Sequence, residues 1–198
     1  MEDRKGRLSL PVTTRTASIS KIKAASQIRT APILPKVPGI EGSNVCLAQD
    51  IDLGTVKPGK RVVIVGAGLT GTETAVSLVR EGHEVTVLDM LTLAEIRGRE
   101  KAVNTAQRLA LGEGVKFLEK HRLVSVSPAG LTAVDEEDRE VFLPCDTVAL
   151  SLGVRPRTGL EEKLKDVCGE IVCVGDCNNR QGNITSAVRE GFYAAMNA

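Results

Sequence analysis

Residues 62–75 read VVIVGAGLTGTETA. Four β-branched residues run into three glycines, Gly66, Gly68 and Gly71, and the chain then continues with a helical period. Such a run is typical of a short parallel strand buried on both faces. The spacing G-x-G-x-x-G is weak by itself. It gains weight here from its setting, between the end of a strand and the start of a helix. There each glycine has a reason. Gly66 permits a tight turn, Gly68 bares the main chain to an anion, and Gly71 lets the helix pack close to the strand. The loop Gly66-Ala67-Gly68-Leu69-Thr70-Gly71 then aims the unpaired N–H groups of the first helical turn at a pyrophosphate.

Outward from the loop, the pattern predicts a strand at 61–65, a helix at 69–81 stopped by Gly82, and a strand at 84–89. A helix at 100–111 and a strand at 115–119 follow. This β-α-β-α-β order is that of a doubly wound parallel sheet. Three short strands at 122–127, 130–135 and 140–144, split by PAG and DEEDR, predict a β-meander. Beyond it come a strand within 146–153, a short helix around LEEKLK, a strand at 170–176 and a closing helix at 183–198. Before the loop, APILPKVPGIEGSN predicts an extended connector, because its prolines fix φ and bias their predecessors away from helix.

An acid about 20 residues past the loop is the second mark of a dinucleotide site. Asp89, 18 residues past Gly71, ends EVTVLD. A carboxylate there accepts from both ribose hydroxyls of an adenosine and repels a 2′-phosphate. Met90-Leu91-Thr92 offers no arginine to reverse that preference, so the reading is NAD, with NADH favoured over NADPH, or else FAD. Glu73 has two readings. It can complement the helix dipole, worth about 0.3–1 kcal/mol, or face the cleft at the nicotinamide end. Asp176 ends a predicted strand after Gly175, where α/β sheets bind ligands. It can accept from a ligand hydroxyl or be a surface acid in a turn.

Composition narrows the classes. The chain has 198 residues and a net charge of +1, which argues against strong nucleic-acid or membrane-surface binding. Aromatic residues are 2% with no Trp, leaving few rings for base stacking. No apolar run approaches the roughly 20 residues that cross a bilayer. The cysteines at 46, 145, 168, 173 and 177 are odd in number and lack paired zinc spacing. Cys168 and Cys173 have a C-x4-C spacing found at some redox disulfides, while the expected strand through Cys173 would hold them apart. Reduced cysteines in a cytoplasmic protein are the expectation. No catalytic side chain and no metal ligand are expected. Residues 1–31 carry seven basic residues against two acids and many Ser and Thr. Glu2, Asp3 and LSLPVTT speak against a transit-peptide helix there, so a disordered tail or a segment of other origin is expected.

Four pieces together carry a resemblance: PILPKVPGIEGSNV, GKRVVIVGAGLTGTETAVSLVREGHEVTVLDM, DTVALSLGVRP and VGDCNNRQGNITSAVREGFYAAMNA. From about Ala31 on, the chain resembles the carboxyl part of NAD(P)H-dependent flavoproteins of the pyridine nucleotide-disulfide oxidoreductase type. It is most similar to the tails of old-yellow-enzyme relatives: 2-enoate reductase, 2,4-dienoyl-CoA reductase and trimethylamine dehydrogenase. The resemblance implies an α/β, Rossmann-like NAD-binding domain with a β-meander at 59–146, inserted in an incomplete FAD-binding domain. Residues 32–58 would be a connector and FAD-domain remnant, and 147–198 the carboxyl part of that domain.

It further implies a nicotinamide-side role for Glu73, Asp176 on the FAD ribityl chain, Ile184 and Thr185 near the flavin ring, and Gly153 where the chain re-enters the FAD domain. The family's own FAD glycine loop has no counterpart in this sequence, nor do its FMN-bearing barrel and iron–sulfur cysteines. The chain therefore reads as a fragment whose partners are dinucleotides and the other domains of a larger flavoprotein. The implied activity is hydride transfer from NADH to FAD, then through FMN to an enoate- or enoyl-type acceptor. Two alternatives stand beside it: a catalytically incomplete dinucleotide-binding module, and a disulfide reductase using Cys168 and Cys173.

Overall fold

In the computed structural model, residues 30–156, 166, 171–177 and 184–197 are described. The chain divides into two compact units, one of which is Pro32–Val154. Its centre is a five-stranded, all-parallel sheet. The strands are β1 (Val45–Leu47), β2 (Arg61–Val65), β3 (Glu84–Leu88), β4 (Lys116–Leu118) and, much later in the chain, β8 (Thr147–Leu150). Their spatial order is β1-β8-β2-β3-β4. Helices α1 (Ala48–Asp52), α2 (Leu69–Arg80), α3 (Leu93–Arg99) and α4 (Val103–Gly112) connect the parallel strands. Strands β5 (Arg122–Ser127), β6 (Gly130–Val134) and β7 (Glu140–Pro144) form an antiparallel meander. The mixed α/β, Rossmann-like core is the expected fold.

Strand periodicity explains the two-sided burial. Side chains alternate faces along β2. Val62 and Ile64 join a core with Ala75, Val76 and Leu78 of α2 and Val103 and Ala110 of α4. Val63 and Val65 join a second core with Leu123, Val126, Leu131 and Ala133 of the meander. Burying each such valine or isoleucine contributes about 1.5–3 kcal/mol. The central strand is therefore apolar at every residue after Arg61, which is why it reads as a continuous run.

Boundaries differ from expectation where local pattern and tertiary contact disagree. Between the extended connector at 31–44 and the glycine loop stand β1 and α1, a strand and a helix too short to announce themselves after its three prolines. The sheet takes in 45–47 and 147–150, which the expected boundaries at 58/59 and 146/147 placed outside the NAD-binding domain. Helix 100–111 begins at Val103. A separate α3 precedes it, started by a capping box. The Glu95 N–H donates to Thr92 Oγ1 at 3.2 Å, and the Thr92 N–H donates to Glu95 Oε2 at 2.8 Å. The expected strand at 170–176 is corrected: residues 171–174 form no ladder, and Gly175–Cys177 is a 3-10 turn. Extended β-branched residues make a strand only when a neighbouring strand accepts their hydrogen bonds. The expected LEEKLK helix lies outside the described residues. In the second unit, helix α5 (Ile184–Asn197) packs on the Gly175–Cys177 turn.

Candidate functional site

The glycine loop leaves β2 at the point where the sheet's connections reverse: β3 and β4 lie on one side of β2, and β8 and β1 on the other. Open α/β sheets bind ligands in the crevice at that place. Both neighbours of β2 fix the loop's entry. The Gly66 N–H donates to Leu88 O at 2.8 Å, and the Ser151 N–H donates to Val65 O at 2.8 Å.

The three glycines are bare for different reasons. Gly66 has φ +113°, and a Cβ there would lie 2.2 Å from the Ser151 carbonyl oxygen. A Cβ on Gly71 would lie 2.1 Å from Gly66 O and 3.0 Å from the Ser151 side chain. Those two positions are closed by the protein itself. A Cβ on Gly68 would meet nothing within 4 Å. Gly68 is also the N-cap of α2, and no side chain caps that helix end. An open, bare, uncapped helix start fits the diphosphate of a dinucleotide.

Asp89 stands at the end of β3, beside the loop. Its Oδ2 accepts from the Ala67 N–H at 2.7 Å and its Oδ1 from the Leu91 N–H at 2.8 Å. Thr72, fully buried, donates from Oγ1 to Ala67 O at 3.1 Å. On the other flank, at the carboxyl ends of β1 and β8, Leu47, Gln49, Thr70, Ser151 and Gly153 line a cleft. Glu73 is exposed, one turn along α2 from Thr70. It lies beyond the first turn of α2, which holds no acid. That corrects the placement on which the helix-dipole reading rested. Leu69 starts α2 and is half-buried.

Gly175, Asp176, Ile184 and Thr185 belong to the second unit. Gly175 has φ +69°, a Cβ there would lie 3.2 Å from Ala187 Cβ, and its N–H donates to Glu190 Oε2 at 2.7 Å. Asp176 is half-buried in the same turn, and Ile184 is 84% exposed at the start of α5. The turn carries one acid, Asp176. Among the described residues, Gly66–Gly71 is the only G-x-G-x-x-G loop.

Cys46 and Cys145 are free thiols. Burial, with Asp50 adding to it, pushes the Cys46 thiol up to about 11. Burial also raises Cys145, so neither is a ready thiolate at neutral pH. Cys168, the partner in the redox reading, lies outside the described residues. Among the described residues no group of His, Cys, Asp and Glu could hold a metal ion, and no helix is long and apolar enough to cross a membrane.

Sequence reasoning missed Ser151 and Thr72. Ser151 was visible in principle as the residue leaving an apolar strand at the sheet's carboxyl end. Thr72 was hidden, because a threonine within an apolar helix face carries no signal of its own.

Comparison with known proteins places this geometry. Bilirubin reductase of Mediterraneibacter gnavus is 34% identical over 167 residues, which are 82% of this chain and 25% of that protein. NADH oxidase of Thermoanaerobacter brockii is 30% identical over 169 residues, 83% of this chain and 26% of that protein. A solved complex of 2-naphthoyl-CoA reductase superposes with a TM-score of 0.72 at 23% identity, covering 82% of this chain and 25% of that one. The chain thus spans about a quarter of the length of these relatives. The profile of the pyridine nucleotide-disulphide oxidoreductases matches residues 30–191. With the glycine loop, the switch-point crevice and the acid at the end of β3 in place, the chain belongs to that family of NAD(P)H-dependent flavoprotein oxidoreductases.

Proposed function

We propose that this chain is the pyridine-nucleotide half of a larger flavin reductase. It binds NADH in preference to NADPH and orients its nicotinamide toward an FAD. The observation that carries the reading is Gly68, bare in open space at the uncapped start of α2. Nothing among the described residues demands that bareness, whereas a diphosphate lying against the main chain does. The loop N–H groups would hold the phosphates and Asp89 the adenosine ribose. Thr70, Gly153 and Glu73 would flank the nicotinamide. Gly175, Asp176, Ile184 and Thr185 would contribute the described part of the FAD site. FMN and an iron–sulfur cluster would belong to parts of the parent protein outside this sequence.

The cofactors supply the redox chemistry, and the protein supplies binding and orientation. An unsaturated organic acceptor is favoured for the parent enzyme, in line with relatives named bilirubin reductase and naphthoyl-CoA reductase. Free thiols at 46 and 145 favour a reducing, cytoplasmic setting.

A paired NADH and NADPH titration of wild type and Asp89→Ala tests the reading. NADH binds more tightly to the wild type by about tenfold, as expected of one good charged hydrogen-bond site, and the preference collapses in the variant. Equal wild-type affinities reject the NAD assignment. A second reading, a binding module without catalysis of its own, is favoured by the single glycine loop. Colourless protein that still binds NADH selects it, and yellow protein bleached by NADH selects the reductase.

A further inference from the structure

Asp89 is bound into the very loop it faces. Both carboxylate oxygens accept main-chain N–H groups, Oδ2 from Ala67 in the glycine loop and Oδ1 from Leu91. The main chain of Asp89 is fixed as well: its N–H donates to Leu118 O, and its carbonyl accepts from the His121 N–H. The next peptide along is held too, since the Ala67 carbonyl accepts from the buried Thr72 hydroxyl. Turning the carboxylate away would break two charge-assisted hydrogen bonds, the stronger kind.

We infer that Asp89 holds the glycine loop in its phosphate-binding shape in addition to accepting from the ribose, so that loop geometry and sugar recognition share one side chain. This inference rests on the dinucleotide reading above. The two roles differ in sign for a ligand that has phosphates and no ribose hydroxyls. If Asp89 only reads the sugar, removing a negative charge beside a diphosphate leaves such a ligand unaffected or binds it more tightly. If Asp89 shapes the loop, the same removal weakens it.

The experiment titrates ADP and 2′,3′-dideoxy-ADP against the full chain as wild type, Asp89→Ala and Asp89→Asn. Dideoxy-ADP keeps the diphosphate and adenine and lacks both hydroxyls. Its affinity should fall roughly five- to tenfold in Asp89→Ala. It should stay within about twofold in Asp89→Asn, whose side-chain carbonyl can still accept from the Ala67 N–H. Unchanged or tighter dideoxy-ADP in Asp89→Ala overturns the inference. A wild type that binds neither nucleotide overturns the dinucleotide reading, and the inference with it, which separates the two failures. Amide hydrogen exchange of nucleotide-free wild type gives an answer that does not depend on the variants folding. The Ala67 amide should be protected like those of β2, and exchange at the rate of an open loop overturns the inference.

Discussion

Among the described residues, the glycine turns at Gly66 and Gly175 precede helices, and they are held in different ways. The turn at Gly66 is built by residues distant in sequence: Leu88 takes its N–H, Ser151 crowds its Cα, and Asp89 ties down the next peptide. The turn at Gly175 is held by its own helix, where Glu190 takes the N–H and Ala187 fills the space a side chain would need. The first is embedded between strands of a closed core. The second lies beside a helix whose Val188, Phe192 and Met196 are exposed. The comparison teaches that a glycine's meaning lies in what surrounds it. Gly66, Gly71 and Gly175 are bare to accommodate protein, and Gly68 alone of the four is bare toward open space.

The sharpest way to break that comparison is to add one methyl group at a time. Gly66→Ala and Gly71→Ala drive Cβ into backbone oxygens at 2.2 Å and 2.1 Å, contacts that no rotamer relieves. Each should destabilise the fold by roughly 3 kcal/mol or more, seen as a large drop in melting temperature. Gly68→Ala should melt like wild type and lose about tenfold or more in NADH affinity, equal to about 1.4 kcal/mol. If Gly68→Ala melts early as well, the loop is bare for packing throughout and the cofactor argument loses its basis.

A smaller effect is expected at the other turn. Gly175→Ala places a side chain at φ +69° with Ala187 at 3.2 Å. The left-handed backbone alone costs about 1–2 kcal/mol. Faster amide exchange in α5 should report it, with NADH affinity unchanged. A parallel loss of NADH affinity would count against the separate roles given to the two turns.

The smallest expected effect concerns the end of the sheet away from the loop. Arg61 at the start of β2 donates to Asp146 just before β8, with Nη2 to Oδ1 at 2.6 Å. The Arg61 side-chain hydrogen bonds, together with the Arg61 backbone N–H, hold the Asp146 carboxyl below its ordinary range. A carboxylate depressed in the folded state stabilises the fold above its unfolded value. That contribution is lost as pH falls through the lower, folded value. Asp146→Asn should therefore melt slightly earlier than wild type at neutral pH and alike in strong acid. A difference that persists in acid would assign the effect to packing rather than charge. Because the pair is half-exposed, the neutral-pH difference should also shrink with added salt.

The legible parts of the fold were those with dense local signals. The run at 61–65, the glycine spacing, the acid at 89 and the meander turns around PAG and DEEDR all carry their chemistry within a few residues. Asp135 illustrates it: its Oδ1 accepts from the N–H groups of Glu137 and Arg139, as an aspartate opening a tight turn does. Thr92-Leu93-Ala94-Glu95 is equally legible as a capping box. What stayed hidden was relational. Nothing in VCL at 45–47 announces an edge strand beside β8, and nothing in the serine at 151 says that its carbonyl will shape a turn formed far earlier in the chain. The strand expected at 170–176 failed for the converse reason, since its composition was right and no ladder formed beside it.

The dependence of Gly66 and Gly71 on Ser151 reaches into biosynthesis. A ribosome delivers all three loop glycines long before it delivers the serine that crowds two of them into place. A nascent chain halted ahead of β8 would carry the whole fingerprint without a cradle to show for it. Cofactor capture on staged translation intermediates should stay silent until that serine has cleared the exit tunnel.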